Sequence, residues 1–378
     1  MAQGLGGAVM MSIAMALAGE ALGTEKIGRA MGLLGTMSAV GTALGPSLGG
    51  ALIAGFGWRA MFLINLPLGL FALLVIGAVF QSQVNRVRHE IDFLGAGYLA
   101  MALTCIILFT SQGGTVMAWS DGQLWCILAF GLVSLGGFIY EERLAGEPII
   151  PLGLFRNRTF VLCGLIGFIV GMSLFGSVTF LPLYLQVVKG STPSQAGMQL
   201  LPLMGGIMVS SIISGRIISK RGKYRLFPIV GTLCALGAMT LLGTLTNNTP
   251  VQQLYLYICL LGLGLGMVMQ VMILAAQNSV EPRHMGVATS SATLFRSIGG
   301  AIFTQVLHTR LAALLPEGAQ LPRALGAEAV HHLPAALQQD YLQAFGGAIH
   351  SVYQIAAGVM ALAFALTWLL KDVPLRHK

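Results

Sequence analysis

A proton carrier needs a carboxylate that can lose and regain its proton inside the pathway, and a hydrolase needs a nucleophile beside a base. The chain has 13 Asp and Glu, and each of them, from Glu20 to Asp372, falls in a connection or at the end of an apolar run. No proton carrier can therefore be assigned, and Asp92, at the mouth of a run, reads as a helix cap. Arg296 is the opposite case: it stands about 15 Å inside the apolar run 286–312 by helical rise. A charge at that depth is costly unless paired, so either backbone carbonyls satisfy it or a carboxylate from a preceding segment does. The histidines, His89, His284, His308, His331, His332, His350 and His377, form no H-E-x-x-H or Ser-His-Asp arrangement at depth, which argues against an enzyme. Cys105, Cys126, Cys163, Cys234 and Cys259 all sit inside apolar runs without metal-ligand spacing and read as small apolar side chains. No cofactor or metal site is predicted.

The elements that hold these residues follow from composition. Of 378 residues, 56% are hydrophobic and 9% charged, and the mean hydropathy is +0.81, far too apolar for a water-soluble globule. The bilayer core offers no water to backbone polar groups, so each apolar run must be a helix, and the lack of period-2 alternation excludes a barrel. The fold class is all-α integral membrane protein. Eleven spans are predicted near 1–19, 30–56, 60–80, 93–113, 122–140, 159–186, 194–214, 226–246, 252–276, 286–312 and 347–370, with 313–346 an external loop. Placing the C-terminus in the cytoplasm leaves only Arg59, Lys189, Arg310 and Arg323 outside, with Arg296 within a span, out of 21 Lys and Arg; the reverse violates the positive-inside rule. The net charge of +8 thus needs no nucleic acid. An odd span count then puts Met1 on the outer face, and with no basic region before MAQGLGGAVMMSIAMALAG, further chain upstream is expected.

Two patterns organise the spans. GLGGAVMMSIAMAL (4–17) and EKIGRAMG (25–32) parallel GLGLGMVMQVMILA (262–275) and EPRHMG (281–286), followed by a helix carrying RSIGG (296–300). Such repeats mark secondary transporters, whose substrate site lies between related halves. The copies lie eight spans apart, so two helices, 93–113 and 122–140, are inserted. Within 41–59, GTALGPSLGGALIAGFGWR, the residues Gly41, Gly45 and Gly49 recur every four positions and line one helix face over roughly 12 Å. A bare face lets a neighbouring helix approach closely in lipid, and Pro46 bends the helix.

GTALGPSLGG (41–50) matches the antiporter motif G-x-x-x-G-P-x-x-G-G throughout, through Gly41, Gly45, Pro46, Gly49 and Gly50. With WRAMFLINLPLG (58–69), IDFLGA (91–96), PLGLFRNRTF (151–160), LPLYLQ (181–186) and AAQNSV (275–280), the whole chain resembles the 14-span drug:proton antiporters of the major facilitator superfamily, the EmrB/QacA family. The resemblance implies the major facilitator superfamily fold with 11 of 14 transmembrane helices present. Residues 1–80 are then the remainder of the N-terminal bundle (spans 4–6), 81–158 the inserted pair (spans 7–8) with its linkers, and 159–378 the C-terminal six-helix bundle (spans 9–14). It implies a multidrug efflux transporter of the bacterial cytoplasmic (inner) membrane, exchanging lipophilic compounds for protons by alternating access, with the proton gradient in place of a cofactor and a periplasmic adaptor protein as a conceivable partner. Another solute carrier on the same scaffold, or an inactive fragment, is the alternative. By analogy the cavity is lined by Met11 and Met15, by Phe175, Thr179 and Gln186, and by Met267, Gln270 and Gln277. SGRIISKRGKYR (214–225), read as a cytoplasmic loop, is similar to the superfamily's loop motif at Gly215, Lys220, Gly222 and Lys223, but Ser219 stands where the acid belongs. A basic anchor and a conformational switch are equally compatible with it.

Overall fold

The computed structural model describes residues 59–79, 92–113, 117–245, 249–314 and 335–371, with scattered positions among 6–57. The described residues are helical and contain no strand, only an isolated bridge between Gly113 and Met117. Where positions of the first two predicted spans are described, they are helical. Next come α1 (Ala60–Leu63) and α2 (Asn65–Val79), which form one apolar segment with no buried residue over Ala60–Ala78. Then follow α3 (Phe93–Gln112), α4 (Gly122–Leu144), α5 (Arg158–Val187), α6 (Pro193–Met198), α7 (Leu201–Arg221), α8 (Leu226–Leu242), α9 (Val251–Ser279), α10 (Met285–Leu314) and α11 (Ala335–Trp368). Among the described residues, 7 helical segments are long and apolar enough to cross a membrane.

Three boundaries differ from the sequence reading. The predicted span 194–214 is two helices, α6 and α7, because Pro202 in the first turn of α7 has no N–H to continue the preceding ladder. The basic stretch is mostly helical rather than a loop: α7 runs through Arg221, and Gly222, at φ 67°, ends it in the left-handed conformation, its N–H donating to the Ile218 carbonyl at 2.8 Å. The last helix starts at Ala335, not near 347. Its first turns, AALQQDYLQAF, are good helix formers with too little hydropathy to register as a span; residues 315–334 lie outside the described residues.

Helix starts are capped as their sequences suggest. Asp92 accepts from the Gly95 N–H at 2.7 Å and Asp121 from the Gln123 N–H at 2.9 Å. Asn157 caps α5, accepting from the Thr159 N–H at 3.0 Å. Helices α3 and α4 form a hairpin: Gly131 leaves room for Cys105, whose Cβ would lie 2.8 Å from an added methyl. The main core lies among α5 and α7 to α11. In this bundle α9 is central, touching α5, α7, α8 and α10, and it is the most buried of the candidate spans.

Beside a core of buried large side chains, α9 is held against its neighbours by direct backbone contact. A methyl on Gly206 would lie 2.6 Å from the Cys259 carbonyl, and one on Gly264 2.6 Å from the Gly231 carbonyl, so α9 meets both α7 and α8 with almost no side chain between. Ser211 Oγ donates to the Gly266 carbonyl at 3.0 Å across the α7–α9 contact. In lipid, where apolar side chains gain nothing by hiding, close dispersion contact and such buried bonds hold helices together.

Candidate functional site

Arg296 lies in the interior of α10, where α10 crosses α5. The crossing is glycine on backbone in both directions: a methyl on Gly171 would strike the Arg296 carbonyl, and one on Gly299 the Phe168 carbonyl. One turn further along, the Phe303 ring fills the space over Gly176 and the Phe175 side chain the space over Gly300. Arg296 is only 7% exposed. Among the described residues its Nε finds no hydrogen-bond partner, and none of them forms an ion pair with it. The backbone carbonyls that the sequence offered as one way to satisfy it therefore do not do so at Nε.

Arg296 also borders a recess between three helices. Cys163, Gly167 and Val170 of α5 form one wall, Val268, Met269, Met272 and Ile273 of α9 a second, and Ala292 with Arg296 of α10 the third. The interior volume of ≈ 10 Å³ is about what one water requires. Apart from Arg296 the lining is apolar or sulfur-bearing. Other than Arg296, none of these wall residues was legible as a site from the sequence. Helices that are apolar on every side give no sign of which face turns inward.

The residues predicted to line a cavity are placed differently. Met267 faces α8, its Cβ 2.9 Å from a methyl built on Gly231. Gln270 is buried with Oε1 unpartnered, and Gln277 is buried with Nε2 donating to Thr289 Oγ1 of α10 at 2.8 Å. Phe175 and Thr179 are exposed and Gln186 is half-buried. None of these six borders the recess, and Met11 and Met15 lie outside the described residues. Of the antiporter motif, Gly41 and Gly45 are helical and exposed, with nothing among the described residues within 4 Å of an added methyl. Gly49 is buried and would meet the Met61 Cε at 3.3 Å; Pro46 and Gly50 lie outside the described residues. In the loop motif, Gly215 is buried within α7, Lys220 and Lys223 are exposed, and Gly222 is the helix terminator. Ser219 Oγ has no partner among the described residues, while Arg225 Nη2 donates to the Trp368 carbonyl at 2.8 Å, at the end of α11, where a cation suits the helix dipole.

Glu142 was read as lying at a span end, and it sits in the last turn of α4 but is buried. Its carboxylate accepts from the Ile149 N–H at 3.1 Å and the Ile150 N–H at 3.2 Å, folding the connection to α5 back on the hairpin. On the opposite side of the bundle, Lys189 Nζ donates to the Thr249 carbonyl at 2.8 Å, and partial burial lowers the pKa of its ammonium. Among the described residues no cluster of His, Cys, Asp or Glu could hold a metal.

Long apolar helices closed by glycine seams, with Arg296 as the buried cation among the described residues, define a multi-pass membrane protein. The Major Facilitator Superfamily model matches residues 1–304, and the chain belongs to that superfamily. An uncharacterized MFS-type transporter of Mycobacterium tuberculosis (strain ATCC 25618 / H37Rv) is 34% identical over 382 residues, 99% of this chain and 56% of its own length. The multidrug transporter protein MdtP of Bacillus subtilis (strain 168) is 30% identical over 413 residues, 100% of this chain and 76% of its own. A tetracycline resistance determinant of Streptomyces rimosus is 31% identical over 319 residues, 75% of this chain and 92% of its own. The chain thus spans little more than half the length of the mycobacterial relative.

Proposed function

We propose that this chain is the body of a drug efflux carrier of the 14-span EmrB/QacA kind, moving lipophilic compounds out across the bacterial cytoplasmic membrane in exchange for protons. One observation carries the reading: a protein named as a multidrug transporter aligns with 100% of the chain at 30% identity. In keeping with it, helices in backbone contact can move as rigid bodies about a central site, which alternating access requires. Residues 1–80, 81–158 and 159–378 serve as part of the first bundle, an inserted pair and the second bundle. The C-terminus faces the cytoplasm, and a periplasmic adaptor is a partner such a pump would take. Met11, Met15, Phe175, Thr179, Gln186, Met267, Gln270 and Gln277 contact the transported compound in some stage of the cycle, and the Gly41, Gly45, Pro46, Gly49 and Gly50 stripe forms the moving joint. The coupling carboxylate is not among the residues of the described helices that cross the bilayer core.

The test is efflux. Produced in a bacterium stripped of its own drug pumps, the chain should lower accumulation of an uncharged lipophilic dye, and a protonophore should restore it. In everted vesicles, adding the dye should collapse part of an imposed proton gradient. Unchanged accumulation with and without the protonophore would refute the reading.

A further inference from the structure

Residues 148–280, which include all of α5 to α9, hold no Asp or Glu. Arg216, Lys220, Arg221 and Lys223 crowd the end of α7 and the turn after it, and none of them enters an ion pair with a described residue. Glu281, the next acid along the chain, is already held 2.8 Å from Arg283 Nε. Position matters as much as number. Val209, Ile213, Arg216 and Lys220 follow one another at helical spacing, so they share one face of α7, and all four are exposed. On a membrane helix an exposed stripe of Val and Ile is turned to lipid, and the two cations that continue it lie against lipid as well. Arg216 stops five residues, about 7.5 Å, short of the end of α7, so its guanidinium must reach along the helix to the phosphate layer.

The turn that carries these charges is held in place. Gly222 at φ 67° ends α7, Tyr224 is fully buried, and Arg225 Nη2 is tied to the Trp368 carbonyl at 2.8 Å. Leu226 is exposed directly after it at the start of α8, and so are Trp368 and Leu369 at the end of α11. Exposed apolar side chains beside the turn, an indole among them, put it at the boundary between hydrocarbon and headgroups. Cations fixed at that level, with no acid of α5 to α9 to neutralise them, complement a phosphodiester.

We propose that the turn between α7 and α8 binds a monoanionic phospholipid, with its phosphodiester on Lys220, Lys223 and Arg216 and its acyl chains along Val209 and Ile213. The site is independent of the compound the carrier moves. Inorganic phosphate offers the same charge without the acyl chains, and the experiment separates the two.

The purified full chain in detergent micelles is titrated with phosphatidylglycerol and with phosphatidylcholine of the same acyl chains, and bound lipid is counted by native mass spectrometry. The first phosphatidylglycerol should bind about ten-fold more tightly than the first phosphatidylcholine. Lys220→Gln together with Lys223→Gln should reduce that preference to about two-fold or less. Arg156→Gln together with Arg158→Gln, which removes two exposed charges from the same end of the bundle, should leave it intact. Equal affinity for the two lipids, or a preference that survives loss of the two lysines, would overturn the proposal. So would an equal loss in both double variants, since general surface charge would then account for it, and so would displacement of the lipid by millimolar inorganic phosphate. Should the lysine variant unfold at a lower temperature without lipid, Lys220→Arg together with Lys223→Arg decides: it keeps both charges and must keep the preference. Lipid selectivity without dye efflux would leave this site standing and sink the carrier reading, and dye efflux without lipid selectivity would do the reverse.

Discussion

At the scale of single residues, Asn157 shows how much one short polar side chain does in this molecule. Its Oδ1 caps α5 through the Thr159 and Phe160 N–H groups, and its Nδ2 donates to the Ser279 carbonyl at 2.6 Å, tying the start of α5 to the end of α9. Asn157→Ala should cost about 1 kcal/mol for the cap and about 1 kcal/mol more for the lost cross-link, seen as a lower midpoint of thermal unfolding in detergent. Asn157→Asp keeps the acceptor but loses the donor, so it should recover the cap and not the tie. If Asp and Ala behave alike, the cap contributes nothing. Half of this was legible: an Asn ahead of an apolar run signals a helix start. The other half was not, since Ser279 lies 122 positions away and nothing local marks a carbonyl as a partner. Asp92 was likewise readable as a cap, whereas the burial of Glu142 was hidden, because its partners are the bare N–H groups of Ile149 and Ile150.

At the scale of elements, the bundle depends on helices close enough that no Cβ fits between them. Gly171→Ala and Gly299→Ala each place a methyl against a carbonyl of the facing helix, where neither backbone can yield without opening the seam. Overpacking of that kind costs about 1–3 kcal/mol, and each substitution should depress the unfolding midpoint and the yield of folded protein. Gly205→Ala, on α7 with nothing within 4 Å, should instead be neutral or stabilising, as expected for alanine replacing glycine in an unopposed helix. A drop with Gly205→Ala equal to that at Gly171 would mean that helix propensity, not contact, sets the effect. The antiporter stripe makes a different prediction. Nothing described opposes a methyl at Gly41 or Gly45, so Gly45→Ala should leave stability unchanged, and if the stripe is a moving joint it should still reduce dye efflux. Hydropathy was enough to find these helices, because bilayer length is written into composition. It left open how each is rotated about its axis. The α10 segment RSIGG stood out through the repeat, but Gly171 of α5, against which it closes, lay in a run apolar on every side.

At the scale of the whole molecule, the cross-links among helix ends fix which connections share a face. Asn157 joins the start of α5 to the end of α9, and Arg225 joins the start of α8 to the end of α11. Lys189 and Thr249 join the end of α5 to the segment before α9. Arg156, Arg158, Lys220, Arg221, Lys223, Arg225, Arg283 and Lys371 therefore collect at one end of the bundle, with Lys189 at the other. Lys and Arg resist translocation, so the crowded end should be cytoplasmic. Met198, on the short helix α6 beyond the end of α5, is exposed, and so is Lys223 in the turn after α7. In a chain whose five cysteines are replaced by serine, Met198→Cys should react with a membrane-impermeant maleimide in intact cells. Lys223→Cys should react only once the membrane is permeabilised. The reverse pattern would invert the molecule in the membrane. The two sites sit at opposite ends of the same bundle, α7 alone being about 30 Å long at 1.5 Å per residue, so a single pair of labels fixes the sidedness of every helix between them.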